Sequence, residues 1–167
     1  DPDEVKKILF LQSCVPKIKE FTINLRVNPV ELKPPYIKVF EELLVKMVFF
    51  VTKSDSNDPF TCEGVPKKEV QKYLRELKII DLIMDILIYP FEGEHQFDIQ
   101  KLTQRSPIVR ICQLIYRLLK HAAKDNEFNK FYVAQWISHF FDQSMMTSDE
   151  NNLMAELTIT ELLTDNK

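Results

Sequence analysis

"SPIVRICQLIYRLLKHAAKDNEFNK", residues 106–130, carries the reading of the fold. Ser106 and Pro107 make an N-cap and a first helical residue, where a missing proline N–H costs no intrahelical bond. Ile108, Cys112, Ile115 and Leu119 then recur at the three- and four-residue steps of one helix face. After His121 the apolar pattern stops. Asp125, Asn126 and Glu127 form a polar junction that leads into another helix. Such a junction either receives an anionic ligand or only joins two packed helices.

Outward from this stretch, nine prolines punctuate the chain, and the segments between them read as helices. Residues 3–25 carry Val5, Ile8, Leu9, Leu11, Ile18, Phe21 and Leu25 at mixed helical spacing, with Pro16 expected to kink or split the element. "RVNPVELKPP" is a polar connector. From Pro34 or Pro35, Ile37, Phe40, Leu44, Met47, Val48 and Val51 mark an amphipathic helix. "SDSNDPFTCEGV" is a loop, and Pro66 fits the first turn of a helix running to Pro90. Residues 91–105 are irregular, with one short helix around Asp98 to Leu102. Further helices are expected over about 127–144 and 149–164. About seven helices and no convincing strand predict an all-α domain. A closed bundle and a right-handed helical solenoid both fit, since no strict repeat period is visible.

The 167 residues suit one domain, 1–167, and 45% hydrophobic content can fill its core. A net charge of −3 supplies no global field for nucleic acid or a membrane surface, so any anion site must be a local cluster. Asp81 and Asp85 interrupt the longest apolar run, which excludes membrane insertion by this segment. The chain starts at Asp1 without a methionine or a signal peptide, and reads as a fragment of a longer cytosolic region. Cys14, Cys62 and Cys112 lack CxxC spacing and are expected as reduced thiols. The two glycines, Gly64 and Gly93, exclude the glycine-rich loops that cradle nucleotide phosphates.

Catalysis has little to stand on. His95, His121 and His139 are scattered, with no metal-ligand spacing and no nucleophile motif, so neither an enzyme nor a cofactor is expected. His121 falls at a helix C-terminus, where the helix dipole favours an imidazolium. His139, in "WISHFF", is expected to be packed or hydrogen-bonded. Phe131, Tyr132, Trp136, Phe140 and Phe141 share one helix and read as core packing rather than as a partner groove or base-stacking platform.

The most informative cluster is "KKEVQKYLRELK", residues 67–78. At 100° per residue, Lys68, Lys72 and Arg75 fall within about 60° of one another, opposite Val70, Leu74 and Leu77. Three aligned cations can neutralise a polyphosphate, with arginine adding forked hydrogen bonds. A solvated charged face, with Glu69 and Glu76 as neighbours, fits the same pattern.

"QKYLRELKIIDLIMDILIYPFE" followed by "SPIVRICQLIYRLLKH" resembles the cytosolic α-helical domain shared by inositol trisphosphate receptors and ryanodine receptors, more closely the former. "FEELLVKMVFFVT" and "LTITELLTDN" are similar to segments of that family in the same order, so the resemblance runs from about residue 36 to the end. It implies an armadillo-like stack of helices, forming one half of a ligand-binding core on the cytosolic side of the endoplasmic reticulum membrane. A β-trefoil of the same chain would supply the other half, and the neighbouring subunits would complete a tetrameric calcium-release channel. The family's basic helix matches Lys68, Lys72 and Arg75, the first a lysine where arginine is usual. Its second ligand contact, a Tyr-Arg-Lys run, here reads Asn126, Glu127 and Phe128. Two cations are missing and a carboxylate is present, which repels phosphate at close range.

The resemblance therefore leaves two readings. In one, an inositol polyphosphate such as inositol trisphosphate binds at Lys68, Lys72 and Arg75, with Lys124 or Lys130 replacing the missing cations. In the other, the domain is a ligand-free scaffold for protein–protein interaction, within a channel or as an unrelated armadillo-type adaptor.

Overall fold

A computed structural model describes residues 1–92 and 96–164. Its elements are α1 (Pro2–Val27), α2 (Pro34–Val51), β1 (Thr52–Lys53), β2 (Val65–Pro66), α3 (Lys68–Glu76), α4 (Ile79–Ile88), α5 (Pro107–Ala123), α6 (Glu127–Ala134), α7 (Ile137–Met146) and α8 (Ala155–Leu163). The class is all-α and the helices stack in a solenoid-like array, as expected. Eight α-helices rather than about seven arise among the described residues because two expected helices are each divided and the short one near Asp98 is a 3-10 turn. Gly93 and His95 lie outside the described residues.

At the centre stands α5. Ile108, Val109, Ile111, Cys112, Leu114, Ile115, Leu118 and Leu119 are all buried, so the helix is apolar nearly all round and must be enclosed. It packs against α2 on one side and α8 on another, with α4 and α6 also against it. Ser106 is its N-cap residue by position, but its Oγ accepts from the Thr103 N–H at 3.0 Å rather than from α5 itself. The three cysteines are free thiols, all buried.

Pro16 does not split α1, which runs unbroken for 26 residues. Proline removes one N–H and frees the carbonyl four residues earlier. Here Pro16 and Gln12 are both exposed, so water can hydrate that carbonyl. The buried stripe Leu11, Cys14, Ile18, Phe21 and Leu25 continues past it, while Val5 and Leu9 remain exposed.

Pro66 starts no helix. It belongs to a two-residue antiparallel ladder, Thr52 opposite Pro66 and Lys53 opposite Val65, which closes the base of the 54–64 loop. The expected long helix after it breaks at Lys78, whose φ of 63° is left-handed. The pattern explains the corner: α3 is apolar on one edge only, whereas α4 buries Ile79, Ile80, Ile83, Met84, Ile86 and Leu87. One straight axis cannot bury both. The expected 127–144 helix likewise breaks at Gln135–Trp136, and α8 begins only after Met154, also left-handed with φ 69°. The short helix near Asp98 is a 3-10 turn, Ile99–Lys101, capped by the Asp98 side chain.

Of the α6–α7 aromatics, Phe140 is buried and packs edge-on to Tyr116, and Tyr132 and Trp136 are half-buried against the core. Phe131 and Phe141 face solvent, so the core reading fails for these two.

Candidate functional site

On α3, Lys68 and Lys72 are exposed and Arg75 is half-buried. Val70 and Leu74 are buried on the opposite side, and Leu77 is half-buried. The helix thus presents the expected cationic edge, but its three members have different surroundings. Arg75 Nη1 donates to Asn129 Oδ1 at 2.5 Å, and its guanidinium carbon lies 4.1 Å from the centre of the Phe128 ring. Among the described residues, Lys72 reaches only the ring of its neighbour Tyr73, at 5.6 Å.

The polar junction after α5 is a hydrogen-bonded clasp. A tight corner forms because Asp125, just past the helix end, adopts φ 55°, a left-handed geometry that aspartate tolerates. Asn126 then caps α6, its side-chain oxygen accepting from the Asn129 N–H at 3.0 Å. Gln71, fully buried on α3, donates through Nε2 to the carbonyls of His121 (2.9 Å) and Lys124 (2.8 Å). In return Asn126 Nδ2 donates to Gln71 Oε1 at 3.0 Å. Asn129, also fully buried, donates to the carbonyls of Gln71 and Ala122, both at 2.9 Å. Neutral amides therefore satisfy carbonyls that a helix end leaves unpaired.

The two candidate replacement cations are already engaged. Lys124 Nζ donates to the Gly64 carbonyl at 2.9 Å and lies 3.9 Å from Glu63. Lys130 is buried, donating to the Thr164 carbonyl at 3.0 Å with Glu161 at 3.8 Å and Glu127 at 3.9 Å. The structure thus brings Lys68, Lys72 and Arg75 onto one edge, draws Lys124 toward the 54–64 loop and turns Lys130 toward the end of α8.

That loop is latched onto α5 through charge. Arg117 donates to the carbonyls of Phe60 and Cys62 and to Glu63, and Lys120 donates to Glu63 at 2.6 Å. Burial pushes the Glu63 carboxyl up, but the Lys120 hydrogen bond and the charges of Lys120 and Arg117 outweigh it and hold the group below its usual range.

His121 reverses the sequence expectation. It is fully buried, with Nε2 3.7 Å from the Cys62 thiol. Burial first, then the nearby charge of Arg117, drives its pKa down to about 4. A helix dipole contributes only about 0.3–1 kcal/mol, less than the cost of charging a buried imidazole. The ring is neutral.

Sequence reading missed Gln71 and Asn129, the two hubs of the clasp. A signal existed for each: Gln71 follows Val70 beside the buried side of α3, and Asn129 stands three residues after the capping Asn126. No group of three His, Cys, Asp or Glu side chains suited to a metal occurs among the described residues. No helix among them is long and apolar enough to cross a membrane.

A model of the RIH domain family, that of inositol trisphosphate and ryanodine receptors, matches residues 41–167. The chain is also similar to the inositol 1,4,5-trisphosphate receptor itr-1 of Caenorhabditis elegans, at 25% identity over 184 aligned positions. That alignment covers 99% of this chain but 6% of the relative, so the chain spans a small part of that protein's length.

Proposed function

Since the chain belongs to the RIH domain family of inositol trisphosphate and ryanodine receptors, we propose that it is a non-enzymatic, cytosolic regulatory domain of an endoplasmic-reticulum calcium-release channel, working as a helical scaffold rather than as an inositol trisphosphate receptor. Its partners would be a β-trefoil of the same chain and the neighbouring subunits of a tetramer, between which a rigid stack of helices passes on motion.

The observation that carries the scaffold reading is the engagement of Arg75 by Asn129 and Phe128. A guanidinium bonded to a buried amide and covered by a phenyl ring is committed to joining α3 to α6. Of the three aligned cations this leaves Lys68 and Lys72, neither of which makes an ion pair among the described residues. Glu127 stands where the family pattern has a cation, and a carboxylate there weakens attraction for a phosphate cluster.

Calorimetry on the full-length chain with inositol trisphosphate tests this. No heat and no thermal shift at saturating ligand is the expected result. The competing reading, polyphosphate bound at Lys68, Lys72 and Arg75, requires micromolar or tighter binding that disappears in the Lys72→Ala/Arg75→Ala double variant.

A further inference from the structure

Charge is unevenly spread along this chain. Between Phe131 and Asn166 it holds six carboxylates and no lysine or arginine. The end of the fold that contains α7 therefore has a local acidic field, which the net charge of −3 conceals. Apolar surface is left open at the same end. Phe141, Met145 and Met146 of α7 are 45%, 84% and 45% exposed. At 100° per residue, Asp142 falls between Met145 and Met146, and Phe141 lies next to Met145. The helix thus offers an apolar band crossed by a single carboxylate.

A trough runs beside this band. Its far wall is the 3-10 turn Tyr89–Phe91, which follows α4, together with residues 97–99. Two adjoining hollows share Phe91 and Met146: one of about 420 Å³ beside Phe97 and Ile99, the other of about 160 Å³ beside Ile88 and His139. The walls are tied in place. Gln143, buried on α7, donates through Nε2 to the Leu87 carbonyl at 2.6 Å. The Phe97 N–H donates to the Pro90 carbonyl at 2.7 Å, and Asn151 Nδ2 donates to the Ile99 carbonyl at 2.8 Å. Glu92, Asp98 and Asp142 line the hollows, all three exposed, and none makes an ion pair among the described residues. Lys101 is the one lysine or arginine on the lining segments, and it borders neither hollow.

We propose that this trough docks a basic amphipathic helix of a partner protein, on a surface separate from the α3 edge weighed above. The charges at the trough have one sign, so they select lysines or arginines on the occupant. Two hollows side by side suit two apolar anchors a helical turn apart, the usual reading of a helix laid in a groove. Methionine lines both, and its flexible thioether adapts to the anchor it meets. The same carboxylates repel an anionic leaflet, nucleic acid and phosphate ligands. No three His, Cys, Asp or Glu side chains among the described residues are placed to share a metal ion, so the complement is a cationic side chain rather than a metal.

Fluorescence anisotropy on the full-length chain tests this, with a labelled helical peptide carrying leucines at i, i+4 and i+7 and lysines on the adjoining positions. Two control peptides replace the lysines by glutamate or the leucines by alanine. The basic apolar peptide should bind at least ~10-fold more tightly than either control, and more weakly as salt is raised. The Glu92→Lys/Asp142→Lys variant should transfer the preference to the glutamate peptide, a gain that loss of folding cannot mimic. Met146→Ser, at an exposed position, should weaken binding ~10-fold at an unchanged melting temperature. Equal affinity for the lysine and glutamate peptides, or affinity unchanged in both variants, would overturn the proposal. Self-association that the Glu92→Lys/Asp142→Lys variant removes, with no peptide bound, would give the trough to a second copy of the chain and overturn it too. Peptide anisotropy reads α7 and inositol trisphosphate calorimetry reads α3, so this proposal and the scaffold reading can fail separately.

Discussion

Gln71, wholly buried on α3, donates its side-chain amide to the carbonyl of Lys124 at 2.8 Å, just beyond the end of α5. The same nitrogen serves the His121 carbonyl, and the Gln71 oxygen accepts from Asn126. One side chain thus closes the C-terminus of α5 and the N-cap of α6 together. Gln71→Leu, similar in bulk, would leave the buried His121 carbonyl and the half-buried Lys124 carbonyl and Asn126 amide without this partner. A loss of about 2–4 kcal/mol is expected, since each buried group left unpaired costs about 1–3 kcal/mol. Urea unfolding of the variant measures it directly, through the midpoint at unchanged slope.

Arg75 and Lys72 share a helix face but should respond differently to truncation. Arg75→Ala removes a hydrogen bond to the buried Asn129 and the stack over Phe128, with an expected cost of about 1–3 kcal/mol. Lys72→Ala removes an exposed side chain that makes no ion pair among the described residues and should stay within about 0.5 kcal/mol of the parent. Comparing the two melting curves asks whether the face is built for ligand or for structure. Equal, small effects would argue that Arg75 is free to serve a ligand.

Periodicity made the class legible, because segments such as Ile37 to Val51 and Ile108 to Leu119 repeat at helical steps whatever they pack against. It could not show the corners at Lys78 and Gln135–Trp136. Helical spacing on both sides of a break looks continuous, and the break reflects which neighbours bury each half. Lys78 in particular adopts a left-handed conformation unusual for lysine, at the corner between α3, buried along one edge, and the more deeply buried α4. The cationic edge was legible because angular position on a helix follows from sequence number. Its chemistry was not, since the capture of Arg75 by Asn129 joins residues 54 positions apart. For the same reason the neutrality of His121 was hidden: position predicts the dipole, but only the fold reveals the burial.

Gly64 is held so close to β1 that a Cβ built on it would lie 2.0 Å from the Lys53 carbonyl oxygen. That contact is with backbone and cannot be relieved by a rotamer change. Gly64→Ala must therefore push the 54–64 loop away from β1, loosening Glu63 from Arg117 and Lys120 and the Gly64 carbonyl from Lys124. A destabilisation of about 1–3 kcal/mol is expected from such overpacking. Hydrogen exchange should show faster exchange at Cys62 and Lys67, whose amides bond within and beside the loop, with α8 unchanged.

His121 gives the domain an acid sensitivity of defined sign. Its pKa falls from an ordinary 6.5 to about 4 on folding, so the unfolded chain binds the proton more tightly. Its contribution is fully present above pH 6.5, declines as pH falls, and levels off below about pH 4, where both states are protonated. Between pH 7 and 5 the loss should be about 2 kcal/mol, at 1.36 kcal/mol for each pH unit of differential binding. Glu63, with a lowered pKa, adds a loss only below its ordinary 4.5. Asp85 opposes both, since burial and Asp81 raise its pKa and folding then gains as it protonates. Subtracting a His121→Gln variant isolates the histidine from these carboxylates. The difference in unfolding free energy between parent and variant should shift by about 2 kcal/mol from pH 7 to pH 5. A difference that stays constant over that range would mean that the imidazole reaches solvent and keeps its ordinary pKa.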